Sequence, residues 1–305
     1  MINRSTGIIP GMILCILIVL ALPAWGQESN ISFDVSLSID WVRLALTAQV
    51  SFDLAQAGIR LPTGRLMAEE TLQGAYSQLL RPYLLPLRLD SNSILRDLVD
   101  RGEVTLAELD EICLEAEKIP PSLSSDLTRM SGRYTILMGK INALLTRHRR
   151  SLEPERLLIP VPAADYTGII IIADKELPIR GRRGQALMEP CFFPKIWDTN
   201  MNLIYERNMF DPARKEENLM VRYTFPDNIF RPTPSGLEGE LAALVGPNPL
   251  RILAREVFGI NPTDPVIDRD DALKILSTEN NRRLLREGRV VLVLDEKMLT
   301  MPFKP

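Results

Sequence analysis

Four consecutive isoleucines, Ile169 to Ile172, constrain this chain more than any other stretch. A half-exposed strand alternates apolar with polar residues, whereas an unbroken β-branched run bounded by charge requires cover on both faces. The run follows Asp165-Tyr166-Thr167-Gly168, and a second one, Val290 to Leu294 in RVVLVLD, is similarly apolar throughout. Both are expected as strands of one sheet packed between layers. Before the second run, Asp268 caps a helix with Asp270 and Asp271 in its first turn, Ala272, Leu273, Ile275, Leu276, Leu284 and Leu285 on its apolar face, a break near Ser277 and a stop at Gly288. With Leu250 to Phe258 read as a strand, this spacing suggests a right-handed crossover onto a parallel pair. Phe192 to Ile196 reads as an edge-like strand, because Pro194 cannot donate to a ladder. Met220 to Thr224 is a short strand, Phe225 to Ser235 a proline-broken loop, and Gly236 to Val245 a short helix.

The first half has clearer periodicity. Ile31, Phe33, Val35, Leu37, Ile39 and Trp41 share one face of a strand, and from Val42 the phase slips by one, so that Leu44, Leu46, Ala48, Val50 and Phe52 follow. A slip with no glycine suggests a β-bulge near Asp40-Trp41, with a tight hairpin as the alternative. A helix opening at Pro62-Thr63 carries Ala68, Leu72, Ala75, Tyr76, Leu79 and Leu80 to about Pro82. Leu85, Leu87 and Leu89 read as a short strand, Asn92 to Arg101 as a small helix, and Thr105 with Glu108 as a capping box. Ser122 to Met130 and Arg133 to Ile141 read as a hairpin around Ser131-Gly132.

The fold class that follows is α+β, in two mixed domains. Residues 27–146 form the first, 147–164 a proline-containing linker, 165–297 the second and 298–305 a tail. At 305 residues each domain can bury a real core. Residues 1–26 read as a signal peptide: Arg4 precedes the apolar core Met12 to Leu22, and Ala24-Trp25-Gly26 offers small residues around a cleavage site. An uncleaved anchor is the alternative. Cys15 lies inside that core and does not follow a small residue, which argues against a lipid anchor. Cys113 and Cys191 could pair in an oxidising compartment, but both sit in apolar settings and are expected as buried free thiols.

A net charge of −3 argues against nucleic-acid binding, and a single histidine, His148, against a histidine-rich metal site. The loop Arg180-Gly181-Arg182-Arg183-Gly184 lacks the spacing of a phosphate loop and reads as an exposed turn. Asp264, Asp268, Asp270 and Asp271 lack the glycine and distal glutamate of a calcium loop, and their place at a helix start already suits the helix dipole. His148 reads as a solvated linker residue. The candidate interaction surface is Arg180, Arg182 and Arg183 together with Arg147, Arg149 and Arg150, which could meet anionic envelope polymers. No cofactor, metal or small-molecule ligand is expected, and no catalytic motif occurs, so the chain reads as a non-enzymatic protein.

Several landmarks occur in a characteristic order: Tyr166-Thr167-Gly168, Phe193-Pro194-Lys195-Ile196 with Asp198, Tyr205, Gly246-Pro247-Asn248-Pro249-Leu250, Asp271-Ala272 and Arg289 to Asp295. Asp40-Trp41, Leu61-Pro62-Thr63-Gly64-Arg65 and Leu89-Asp90-Ser91 precede them. In this the chain resembles the flagellum-associated outer-membrane lipoproteins of the FlgP type and their exported relatives. That resemblance implies a structural protein of the periplasm or inner face of the outer membrane, self-associating or partnered with other envelope or flagellar basal proteins. The rival class is a periplasmic binding module or hydrolase acting on envelope polymers. N-terminal sequencing of protein from an envelope fraction is expected to begin near Gln27; a sequence beginning at Met1 would contradict the signal-peptide reading.

Overall fold

Asp40 turns the first hairpin. The computed structural model describes residues 31–158, 161–215, 219–229 and 239–303, so the signal-peptide expectation and Cys15 lie outside the described residues. The Asp40 carboxylate accepts the amides of Val42 and Arg43 at 3.0 and 2.9 Å, and Leu44 takes φ +55°. A left-handed leucine costs roughly 1–2 kcal/mol, and the side-chain bonds to Asp40 offset it. Four residues without a glycine thus join β1 (Phe33–Asp40) to β2 (Ala45–Asp53), with Asp40 opposite Ala45. The slip in phase is the tight hairpin and not a bulge.

The helix α1 (Arg65–Leu84) buries Ala68, Leu72, Tyr76, Leu80 and Leu84, one residue per turn, against this sheet. Leu85 to Leu89 is not a strand; a single bridge, Arg88 to Ile94, replaces it. After α2 (Leu95–Asp100), α3 (Leu106–Leu114) starts with the capping box, Glu108 N–H to Thr105 Oγ1 at 3.2 Å and Thr105 N–H to Glu108 Oε2 at 2.7 Å.

The hairpin that follows is β3 (Glu117–Leu123) and β4 (Arg129–Leu137), and its turn is Ser124 to Thr128, where Leu127 has φ +58°. Ser131-Gly132 lies inside β4, which corrects the expected turn there. Glycine is required at 132 for packing: a Cβ would stand 2.8 Å from Leu72 Cδ2 and 2.9 Å from Tyr134 Oη. Tyr134 folds over that gap and stacks on Tyr76, ring centroids 4.3 Å apart. The chain then enters α4 (Met138–Leu145), which buries Met138, Ile141, Asn142 and Leu145.

In the second half, β5 (Ile169–Ala173) is followed by the short hairpin β6 (Leu177–Pro178) and β7 (Gln185–Ala186), then by β8 (Ile196–Asp198), β9 (Leu203–Tyr205) and β10 (Arg222–Thr224). Next come α5 (Pro226–Ile229), α6 (Gly239–Val245), β11 (Leu250–Leu253), β12 (Glu256–Phe258) and β13 (Asp264–Ile267). The helices α7 (Arg269–Ser277) and α8 (Glu279–Arg286) lead to β14 (Val290–Leu294).

The isoleucine run is the inner strand of a parallel sheet of order β10-β14-β5-β11. Ile169, Ile171, Val290 and Leu292 face the main core with residues of α7 and α8. Ile170, Val291 and Val293 face a smaller cluster with Ile229 and Val245. Both faces are covered, which is why neither run alternates.

Three strand expectations change. Phe192 and Phe193 lie outside any ladder and donate their amides to Arg88 O and Leu89 O at 3.2 and 2.7 Å. Only Ile196 to Asp198 is a strand, and it is interior, in the order β12-β13-β8-β9. Leu250 to Phe258 is two strands in two sheets, handed over at Ala254, whose amide meets Ile172 O, and Arg255, whose amide meets Val266 O. Consequently β11 and β14 are both parallel to β5 but flank it rather than pair. Lastly, the residues read as a tail include β15 (Thr300–Phe303), which pairs antiparallel with β1 and gives the first sheet the order β15-β1-β2-β4-β3.

The molecule is therefore two mixed α+β domains that share one main core, with the smaller cluster behind β5 and β14 set apart from it. Ile170→Asp or Val291→Asp would bury a carboxylate with nothing to pair with, at a cost of several kcal/mol, comparable to the whole stability of a domain. Either variant is expected to lose its cooperative melting transition and become protease-sensitive; a wild-type melting temperature for both would overturn the two-faced burial.

Candidate functional site

The two groups of arginines read from the sequence occupy different places, and no contact among the described residues joins them. The loop Arg180 to Gly184 is the turn between β6 and β7, closed by Ile179 N–H to Gly184 O at 3.2 Å. Arg180 pairs with Glu256 Oε2 at 3.0 Å and donates to Thr199 O at 2.9 Å. Arg182 donates to Gly259 O and to Ile260 O, the latter at 3.0 Å. Two of the three cations in this loop thus fasten it to β12 and the turn after it, while Arg182 and Arg183 are both exposed.

At the joint, Arg149 and Arg150 are exposed, while Arg147 and His148 are engaged. Arg147 Nη2 meets Glu108 Oε1 at 2.7 Å and its Nε donates to Leu144 O at 3.1 Å. The amide of Thr105, then its hydroxyl and Arg147, hold Glu108 below the usual carboxylate range. His148 is half-buried rather than solvated, with Nε2 2.8 Å from Phe210 O. A carbonyl only accepts, so Nε2 carries the proton and Nδ1 is left free to bond elsewhere.

These residues border a cleft of about 60 Å3. One wall is Leu98, Glu103 and Val104 of the first domain, a second is Leu145, Arg147 and His148 of the joint, and the third is Arg207 and Asn208 of the second domain. The Arg207 guanidinium lies over the Phe193 ring, 5.1 Å from its centroid, and has no carboxylate partner among the described residues.

The acidic residues near the last helices do not converge. Asp268 pairs with Arg255 at 2.6 Å and Asp271 with Lys274 at 2.7 Å. Asp264 instead lies in the core, wholly buried, accepting the amide of Lys195 at 3.1 Å, the indole N–H of Trp197 at 3.4 Å and the hydroxyl of Thr263 at 3.0 Å. The Ser91 hydroxyl bonds to it from the first domain. Burial pushes this carboxyl above its ordinary value, and the surrounding donors pull it part of the way back. Among the described residues no three His, Cys, Asp or Glu side chains gather as a metal site would require. Cys113 and Cys191 are free and buried, and burial raises both thiols, Cys113 to about 12. No helix of the described residues is long and apolar enough to cross a membrane.

Sequence reasoning singled out Arg147, which borders this cleft, did not single out Arg207, and grouped Asp264 with the aspartates of a helix start, whereas it opens a buried strand. Arg207 stands among polar residues with no pattern around it. Asp264 carried one weak signal, an aspartate opening the otherwise apolar strand Asp264–Ile267.

Compared with known families, residues 32–144 match the model described as Treponema pallidum Tp0624, N-terminal domain, and residues 168–296 match Treponema pallidum Tp0624, second domain. The stretch between the two matches holds Arg147 and His148. No curated protein matches the chain. The likeness to FlgP-type lipoproteins rests on the quoted segments alone.

Asp264→Ala would orphan the buried Lys195 amide and is expected to cost about 1–3 kcal/mol of stability in urea unfolding. The pH dependence has a definite sign. The folded carboxyl titrates above the unfolded value of about 3.9, so the native state holds this proton more tightly. Its contribution is full below the unfolded value and declines as pH rises through the folded one. Wild type should therefore gain on Asp264→Ala as pH is lowered from neutrality toward the carboxylate range; a constant difference would refute this.

Proposed function

We propose that this chain, carrying domains of the Tp0624 type in the order N-terminal then second, is a non-enzymatic exported protein of the cell envelope. It would serve as a structural or assembly component of the periplasm or the periphery of the outer membrane. The observation that carries this reading is where the polar side chains are used. Ser91, Asp264 and Asn261 bind the first domain to the second, Asn142 Nδ2 reaches Lys215 O at 2.9 Å, and Leu152 N–H reaches Asn208 O at 2.7 Å. Groups that could do chemistry instead hold the two domains as one body.

Such a body presents sheet edges. Among the described residues β11 pairs on one side only, with β5, and Leu253 at its end is 60% exposed beside exposed Arg251. Among the described residues β3 also pairs on one side only, with Ile119 53% exposed, though Pro120-Pro121 interrupts it. Unpaired edges accept strands from other chains, and proline blunts them, so β11 is the better docking edge. The partners we propose are other envelope proteins or further copies of this chain. The ordered segments resembling FlgP-type lipoproteins support the narrower placement around the flagellar motor.

Tagged protein imaged in cells is expected to form discrete foci at the flagellar base, and deletion to impair motility or envelope integrity. Uniform periplasmic signal with unaltered motility would remove the flagellar placement. Purified protein that stays monomeric at high concentration, and retrieves no envelope protein after cross-linking, would remove the assembly role as well.

A further inference from the structure

We infer that the cleft at the joint is a binding site for a single oxyanion group, the carboxylate or phosphate end of a larger molecule. This does not rest on the envelope role. Arg207 is the starting point. It is half-buried, its guanidinium lies on the Phe193 ring, and no carboxylate among the described residues answers its charge. Arg180, Arg255 and Arg286, by contrast, each have an acidic partner within 3.0 Å. A guanidinium set on an aromatic face is oriented, and its free edge offers paired donors in the spacing that an oxyanion accepts.

One further donor borders the same space. Arg147 uses two of its five N–H groups, on Glu108 and Leu144 O, and keeps the rest. His148 is fixed by its bond to Phe210 O, so its proton is already used and the ring serves as a wall of the cleft rather than as a donor. Glu103 also lines the cleft, but Arg101 at 3.1 Å already pairs with it. The remaining walls include Leu98, Val104 and Leu145, and apolar walls strengthen charge pairing by excluding water.

Size limits what enters. A volume of about 60 Å3 exceeds what one water needs, about 10–15 Å3, and is far short of the roughly 300–1,000 Å3 of a pocket for a whole ligand. It suits one carboxylate or phosphate group whose parent molecule continues outside. Because the walls come from the first domain, the joint and the second domain, the site exists only when all three are packed. An anion bound there stabilises the native state over the unfolded chain.

The test uses the full chain, titrated with sodium phosphate and separately with sodium acetate, against sodium chloride at matched ionic strength. A saturable rise in melting temperature is expected with phosphate, acetate or both, and not with chloride. A response to phosphate alone assigns the site to phosphate esters, and a response to acetate assigns it to carboxylates. Arg207→Ala should weaken the apparent affinity about tenfold or more, the effect of losing one charge-assisted pair. Since that change also strips a contact from Phe193, Arg147→Gln provides a second variant that leaves the aromatic packing in place, and it should weaken binding in the same direction. No saturable response to either anion overturns the proposal, as does a response of equal affinity in both variants.

Discussion

Trp41 stands at the end of the first hairpin, and the second domain closes over it. Its ring meets Phe192 edge-on at 5.4 Å and Tyr223 at 5.5 Å, and its amide donates to Leu299 O at 3.0 Å. Only 3% of the residue is exposed. Burying a side chain of about 150–250 Å2 at ~25 cal/mol per Å2 contributes roughly 4–6 kcal/mol, a large part of what keeps a domain folded. Much else serves that contact. The Asp40 turn projects the tryptophan, the Phe192-Phe193 segment beside it is held by amide bonds to Arg88 O and Leu89 O, and Tyr223 is held in place through bonds to both the amide and the carbonyl of Cys191.

The polar side of the same seam is the knot at Asp264. Its donors come from Lys195, Trp197 and Thr263 of the second domain and Ser91 of the first. Ser91 O also accepts the amide of Asn261 at 3.1 Å, and Gly259 approaches so closely that a Cβ there would lie 2.3 Å from Ser91 Cβ. An acceptor-only group surrounded by donors tolerates few substitutes, so this knot fixes the angle between domains where apolar packing alone would permit sliding.

What was legible in the sequence is what is decided locally or by burial on both faces. Ile169 to Ile172 and Val290 to Leu294 read correctly because no alternation can survive between two covering layers. The α3 capping box read correctly because all of its atoms lie within three residues. Gly132 misled, since a glycine needed for close packing looks the same in sequence as a glycine needed for a turn. Leu250 to Phe258 read as one strand because the transfer between sheets at Ala254 is dictated by Ile172 and Val266, which are distant along the chain. Arg207 was missed, and Asp264 was read with the aspartates of a helix start, for the same reason: what singles each of them out is its surroundings in space.

The position of β15 has a consequence for how the protein is made. It lies beside β1, so the first sheet sets its earliest strand against its latest, with the whole second domain between them in the chain. Synthesis runs from the N-terminus at about 5–20 residues per second, so the outer edge of β1 waits on the order of tens of seconds for its neighbour. During that interval the edge is open to strands of other nascent chains. The order of the strands, rather than their strength, sets how long the outer edge of β1 goes unpaired.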